Sequence, residues 1–343
     1  MQERKSNFEL LRIVAMILAL IIHVFLLLPR PTEVYVVKNP FKALEFYVVD
    51  AIAISCVNIF ILISGWFGMK VNWKKFRALI FQVLFFSILI WSALVTLFPN
   101  KYLNGKSLST ILMLNSCDYW FIKSYIGLYL LSPIINKFIE NSTQKEYGRV
   151  LLALFIFQTI YGWFSINGAE WIGGGYSAFS FVCLYSLGRY VRLYQNTIIL
   201  KKGCTLAAIS IKPLSFVFLG IVMILALTAF SVTYVGLPIE GRLFTYTNPL
   251  VILEAIILLL IFSRLKIKSS VINGMASSCL AIYLLHGNEL VLRPFYGTWI
   301  AQWYQNDSTF IFLSKTVLFI IVVFAVSITL DKIRSLFSKL IFG

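Results

Sequence analysis

Arg12 and His23 are residues of the first apolar run that a lipid environment would not select. The chain has 343 residues and only two histidines, and "FELLRIVAMILALIIH" places one of them eleven residues after an arginine. In a helix that spacing is three turns plus about 20°, so both side chains share one face, about 16 Å apart along the axis. Ionisable residues inside a membrane bundle are costly and line cavities or pathways far more often than they face lipid. Histidine titrates near neutrality unaided, and desolvation favours its neutral form, which can take the proton of an attacking hydroxyl. His23 is therefore a candidate general base, and it is equally compatible with a hydrogen bond to a neighbouring helix. Arg12 fits either a positive anchor at the inner headgroups or a ligand for an anionic substrate, and Glu9 lies one turn away, within pairing reach.

The second histidine, His286, stands in "YLLHGNEL" with Glu289 three residues later. The two share a face if the helix persists past Gly287, as a ligand-binding or proton-handling pair or as an interfacial polar cluster. Asp118 and Trp120, either side of Tyr119, open another apolar run at the outer boundary. A carboxylate beside aromatic faces suits a sugar ring, and an interfacial aromatic belt has the same composition. Lys74, Lys75 and Arg77 form a basic loop that can hold phosphates or simply mark topology. Glu254 falls inside an apolar run, where an unpaired carboxylate is expensive. Gly173, Gly174 and Gly175 read as an outer loop without the strand–helix context of a nucleotide motif. Tyr161, Trp163 and Trp171 read as interface residues. The five cysteines (Cys56, Cys117, Cys183, Cys204, Cys279) form no CxxC pair and read as packing residues. Two histidines without a ligand cluster leave no metal site expected.

The elements that must position these groups are membrane helices. Hydrophobic residues make up 59% of the chain and charged ones 13%, with a mean hydropathy of +0.86. Soluble domains run near a quarter charged, so the solvent for most of this surface is lipid. The net charge of +16 sits in short loops between apolar runs, the pattern of topology signals and anionic-lipid contacts rather than of a nucleic-acid groove. Ten runs approach the roughly 20 residues needed to cross the hydrocarbon: 8–28, 44–67, 77–98, 119–138, 149–166, 176–192, 213–235, 247–263, 272–290 and 309–330. The first carries no small-residue cleavage site and reads as an uncleaved span. Placing the N-terminus inside puts 21 of the 30 lysines and arginines on the inner side, including Arg4 and Lys202. The expectation is an all-α polytopic membrane protein of about ten transmembrane helices, with both termini cytoplasmic. No linker divides residues 1–343, so one transmembrane domain without an appended soluble module is expected.

Several stretches, in order, are similar to one family. "FELLRIVAMILALIIH" resembles the start of the bacterial acyltransferase 3 family of integral membrane acyltransferases, where an Arg or Lys, ten residues and a His mark the first helix. "CVNIFILISGWF" at 56–67 looks like its second-helix signature. "YWFIKSYIGLYLLSPIIN" at 119–136 is similar to its Trp-containing segment before a Leu-Ser-Pro turn. "SLGRYVR" at 186–192 and "SSCLAIYLLH" at 277–286 look like its Leu-Gly-aromatic and Tyr-Leu-x-His elements. The resemblance covers about 300 residues.

It implies transfer of an acetyl or other short acyl group from acetyl-CoA to a hydroxyl of an envelope or capsular polysaccharide, or of its lipid-linked precursor, in the bacterial cytoplasmic membrane. His23 would be the base, and Arg12, Lys74 and Arg77 would hold the donor phosphates. Lys74 departs from the pair of arginines many members carry, and a lysine binds phosphate without the bidentate fork. His286, Glu289, Asp118 and Trp120 would face the acceptor. No tightly bound cofactor and no nucleic-acid partner are expected. The competing reading is a transporter or flippase for a lipid-linked sugar, which would carry internal repeats and broken helices in corresponding halves.

Overall fold

Lipid offers no hydrogen bonds to an open backbone, so runs this apolar satisfy their amides internally as helices. The computed structural model describes residues 5–115, 118–165, 171–201 and 203–342, and it is all-α, with 81% of residues helical. Cys117, Arg4 and Lys202 lie outside the described residues. The main helices are α1 (Ser6–Leu26), α2 (Pro40–Ala53), α3 (Cys56–Phe67), α4 (Trp73–Leu97), α5 (Trp120–Asn141), α6 (Gln144–Thr159), α7 (Ala178–Tyr194), α8 (Ile211–Tyr234), α9 (Pro249–Ser263), α10 (Ser270–Ala276), α11 (Cys279–His286), α12 (Thr298–Asn306) and α13 (Thr309–Phe342). A two-stranded antiparallel ribbon, β1 (Ile199–Lys201) and β2 (Cys204–Thr205), interrupts them. Polar residues start the helices as caps: Asn72 accepts from the Lys75 amide, and Asn248 precedes Pro249 and accepts from the Leu250 amide.

Among the described residues, six helical segments are long and apolar enough to cross a membrane: α1, Pro40–Phe67, α4, Gln144–Phe164, α8 and Thr309–Ser338. The pair Ser270–His286 and Glu289–Asn306, bent by 51°, makes a seventh if it is one span. The remaining runs of the expected ten are helices of lesser length or greater polarity. α7 has 17 residues and α9 has 15, while α5, at 22 residues, is too polar. Polytopic membrane character holds; the count of ten does not emerge from length and composition.

The described chain divides into two compact units. In the first (Met1–Ile22, Arg30–Val71, Phe121–Ser269), α3 and α7 cross through reciprocal glycines. A Cβ at Gly65 would collide with the carbonyl oxygen of Tyr185, and one at Gly188 with that of Leu62. Small residues at a crossing let two backbones approach, which is the packing logic of helices in lipid. These glycines belong to the "ISGWF" and "SLGRY" stretches, so packing accounts for both. Arg30 bridges two carboxylates in the same unit, at 2.7 Å from Asp50 and 2.6 Å from Glu240, with the Phe46 and Phe244 rings beside it. Burial works against its charge, but Asp50 and Glu240 outweigh that and hold the guanidinium above its ordinary pKa.

The second unit comprises His23–Pro29, Asn72–Trp120 and Ser270–Gly343. Asp331 of α13 accepts from Gln82 of α4 (3.0 Å), from Ser278 before α11 (2.8 Å) and from Arg334 (2.7 Å). One carboxylate thus ties three elements, with its charge neutralised by an arginine one turn away. Ile90 and Leu94 of α4, with Tyr102, form an apolar cluster against which Leu285, Leu290, Val291 and Phe295 pack. The bend after α11 rests on that cluster.

Candidate active site

α11 ends at His286 because Gly287 and Asn288 break it: the Gly287 amide still bonds the Tyr283 carbonyl, and Asn288 caps the next short helix, Glu289–Val291. His286 is buried at 1% exposure. Its Nδ1 lies 2.5 Å from the carbonyl oxygen of Ile282, one turn back, and its Nε2 lies 3.0 Å from Nδ1 of His23. The two rings meet edge to face at 5.0 Å. His23, in the last turn of α1, is half-buried. The two histidines of the chain, 263 residues apart, are therefore hydrogen-bonded within the second unit. Both ring nitrogens of His286 are occupied, whereas only Nδ1 of His23 is engaged by the pair.

A second polar group stands at the same helix end. Tyr119 is buried and takes a left-handed backbone conformation (φ 40°) immediately before α5. Such a φ is uncommon outside glycine and marks a position held by its surroundings. Its hydroxyl donates to the Leu284 carbonyl at 2.6 Å and accepts from Asn288 Nδ2 at 2.8 Å. Leu284 lies in the last turn of α11, where carbonyls run out of intrahelical partners; that of Tyr283 is met by the Gly287 amide. Tyr119 thus caps the helix that carries His286. Neither Tyr119 nor Asn288 stood out in the sequence as a site residue. Their signals were slight: a tyrosine between two candidate residues, and an asparagine after a helix-breaking glycine.

The other candidates are placed as follows. Asp118 is buried and accepts from the backbone and side chain of Asn115, at 3.2 and 2.8 Å. Trp120 starts α5, partly exposed. Glu289 pairs with Arg293 at 3.2 Å, and because the helix stops at His286 it does not continue that residue's face as the three-residue spacing required. Arg12 pairs with Glu9 at 2.8 Å, one turn away on α1, within the first unit. Lys74 and Arg77 are exposed near the start of α4, whose first turn contains no acidic residue. Glu254 is fully buried on α9; one carboxylate oxygen accepts from Ser55 at 2.9 Å, and the other has no partner among the described residues.

Chemically, a neutral imidazole with one nitrogen bonded to a partner can take or give a proton at the other, and this pair is set in a membrane protein. The model of the acyltransferase 3 family, described as an acyltransferase domain, matches residues 5–332. The chain belongs to this family and is a multi-pass membrane acyltransferase. No curated protein and no solved structure matches it.

Proposed function

We propose that the protein moves an acetyl or other short acyl group from acetyl-CoA to a hydroxyl of a cell-envelope or capsular polysaccharide or its lipid-linked precursor, with His23 as general base. The observation that carries this reading is a half-buried histidine, bonded to a buried one, in a chain of an acyltransferase family. A thioester is already activated, so the principal need is to remove the hydroxyl proton as the oxygen attacks the carbonyl carbon. We assign Arg12, Lys74 and Arg77, each taken singly, to the donor phosphates on chemistry: all three are cations, and the distribution of lysines and arginines along the sequence puts them on the side taken as cytoplasmic. That side would hold both termini, and the membrane would be the bacterial cytoplasmic one. The acceptor would meet Asp118, Trp120 and Glu289.

The test uses purified full-length protein with labelled acetyl-CoA and the envelope glycan of the host. Wild type should transfer label, and His23→Ala should lose about 10²–10⁴-fold, the range of a lost general base. Equal transfer by the variant refutes the base. No transfer by wild type, together with movement of sugar-lipid across liposomes, refutes the acyl-CoA reading in favour of a flippase.

A further inference from the structure

We infer that His286 is a positioning residue: it holds His23 in the Nδ1–H tautomer and so leaves Nε2 of His23 as the atom that takes the hydroxyl proton. The inference rests on His23 being the base and names the atom and the device that orients it.

The tautomers are set by which atoms can donate. A backbone carbonyl only accepts, so the 2.5 Å contact between Ile282 O and His286 Nδ1 requires a proton on that nitrogen. The opposite tautomer would aim a lone pair at the carbonyl oxygen. A neutral ring with Nδ1–H has an unprotonated Nε2. That nitrogen lies 3.0 Å from His23 Nδ1, which must then donate. His23 in turn is left with a lone pair on Nε2. A protonated, charged His286 would reverse the last bond, but it is 1% exposed and bonds no carboxylate among the described residues, so its charge would be buried without a counter-ion.

Exposure assigns the roles within the pair. His286 is buried and both of its nitrogens are used, so it is the orienter; His23 is half-buried with one nitrogen unassigned, so it meets the substrate. In the transfer, the acceptor oxygen bonds to the thioester carbonyl carbon and its proton passes to His23 Nε2. The C–S bond then breaks, and the proton goes to the departing sulfur, giving the ester, the free thiol and the neutral base again. While His23 is protonated, its Nδ1–H bond to His286 is charge-assisted and therefore stronger. The orienter stabilises the charged intermediate as well as the tautomer, the same double service the carboxylate gives in serine proteases.

Two histidines in the whole chain make a direct test possible. Full-length protein labelled with ¹⁵N-histidine and reconstituted in lipid should give, by solid-state NMR, two neutral imidazoles, each protonated at Nδ1 and bare at Nε2. Free imidazole side chains favour the Nε2–H form, so the expected spectrum is not the default one. His286→Leu should return His23 to Nε2–H and lower acyl transfer by about 10²–10⁴-fold, the span between a lost base and a base in the wrong tautomer. His286→Gln, whose amide oxygen can stand where Nε2 accepts, should restore Nδ1–H on His23 and recover rate relative to the leucine variant. Nε2–H on His23 in wild type overturns the inference even if His23→Ala is inactive, and so does a leucine variant of unchanged tautomer and rate. Activity surviving in His23→Ala overturns the base assignment itself, whichever tautomer the spectrum reports.

Discussion

Replacing Tyr119 by phenylalanine removes one oxygen atom and, with it, two buried hydrogen bonds at the end of α11. The Leu284 carbonyl loses the donor that stands in for its missing intrahelical partner, and Asn288 loses an acceptor for Nδ2. Tyr119 is 2% exposed and Asn288 is 4% exposed, so water does not readily replace the hydroxyl. Each buried group left unsatisfied costs about 1–3 kcal/mol, and partial relaxation brings the pair to about 2–4 kcal/mol. The loss falls on the segment around residues 283–292, which closes the bend after His286. At about 1.4 kcal/mol per factor of ten, local opening there should become about 30- to 1,000-fold more frequent. Hydrogen exchange followed by mass spectrometry on the full-length protein in nanodiscs reads this directly. Peptides over 280–292 should lose protection while α13 keeps it, and acyl transfer should fall because His286 is the last residue of the capped helix. Unchanged protection of 280–292 in a folded variant would refute the capping argument.

Two further predictions concern the frame. Gly188→Ala pushes a methyl into the Leu62 carbonyl and should lower stability by about 1–3 kcal/mol through overpacking. Gly220→Ala in α8, where nothing lies within 4 Å of the added carbon, should raise it by about 0.5–1 kcal/mol; unfolding midpoints in detergent that move alike would sink the crossing argument. Arg30→Leu strands the buried Asp50 and the less buried Glu240; because Arg30 is itself more than a third exposed, the cost should be about 1–3 kcal/mol, part of it regained when Asp50 is also made leucine. A double variant no more stable than the single one would mean that Asp50 is not held by this pair.

The motifs and the membrane class were legible in the residues themselves because both depend on short-range pattern. Apolar runs, the eleven-residue step from Arg12 to His23, and the Glu9–Arg12 pair all lie within one helix, where 3.6-residue periodicity is enough to infer them. The number of spans was less legible, because a run such as 247–263 has a span's composition but folds into 15 helical residues. The reach of Glu289 toward His286 depended on one glycine, and the helix stops there. The site's central contact was invisible to pattern. His23 and His286 are 263 residues apart, and no local rule pairs two histidines across that distance. Tyr119 is likewise 165 residues from the carbonyl it caps. Sequence alone determined that this chain lives in lipid and carries a histidine able to act as a base. Tertiary structure decided which group faces that histidine and which helix end holds it, because hydrogen bonds between distant elements exist only once the chain has packed.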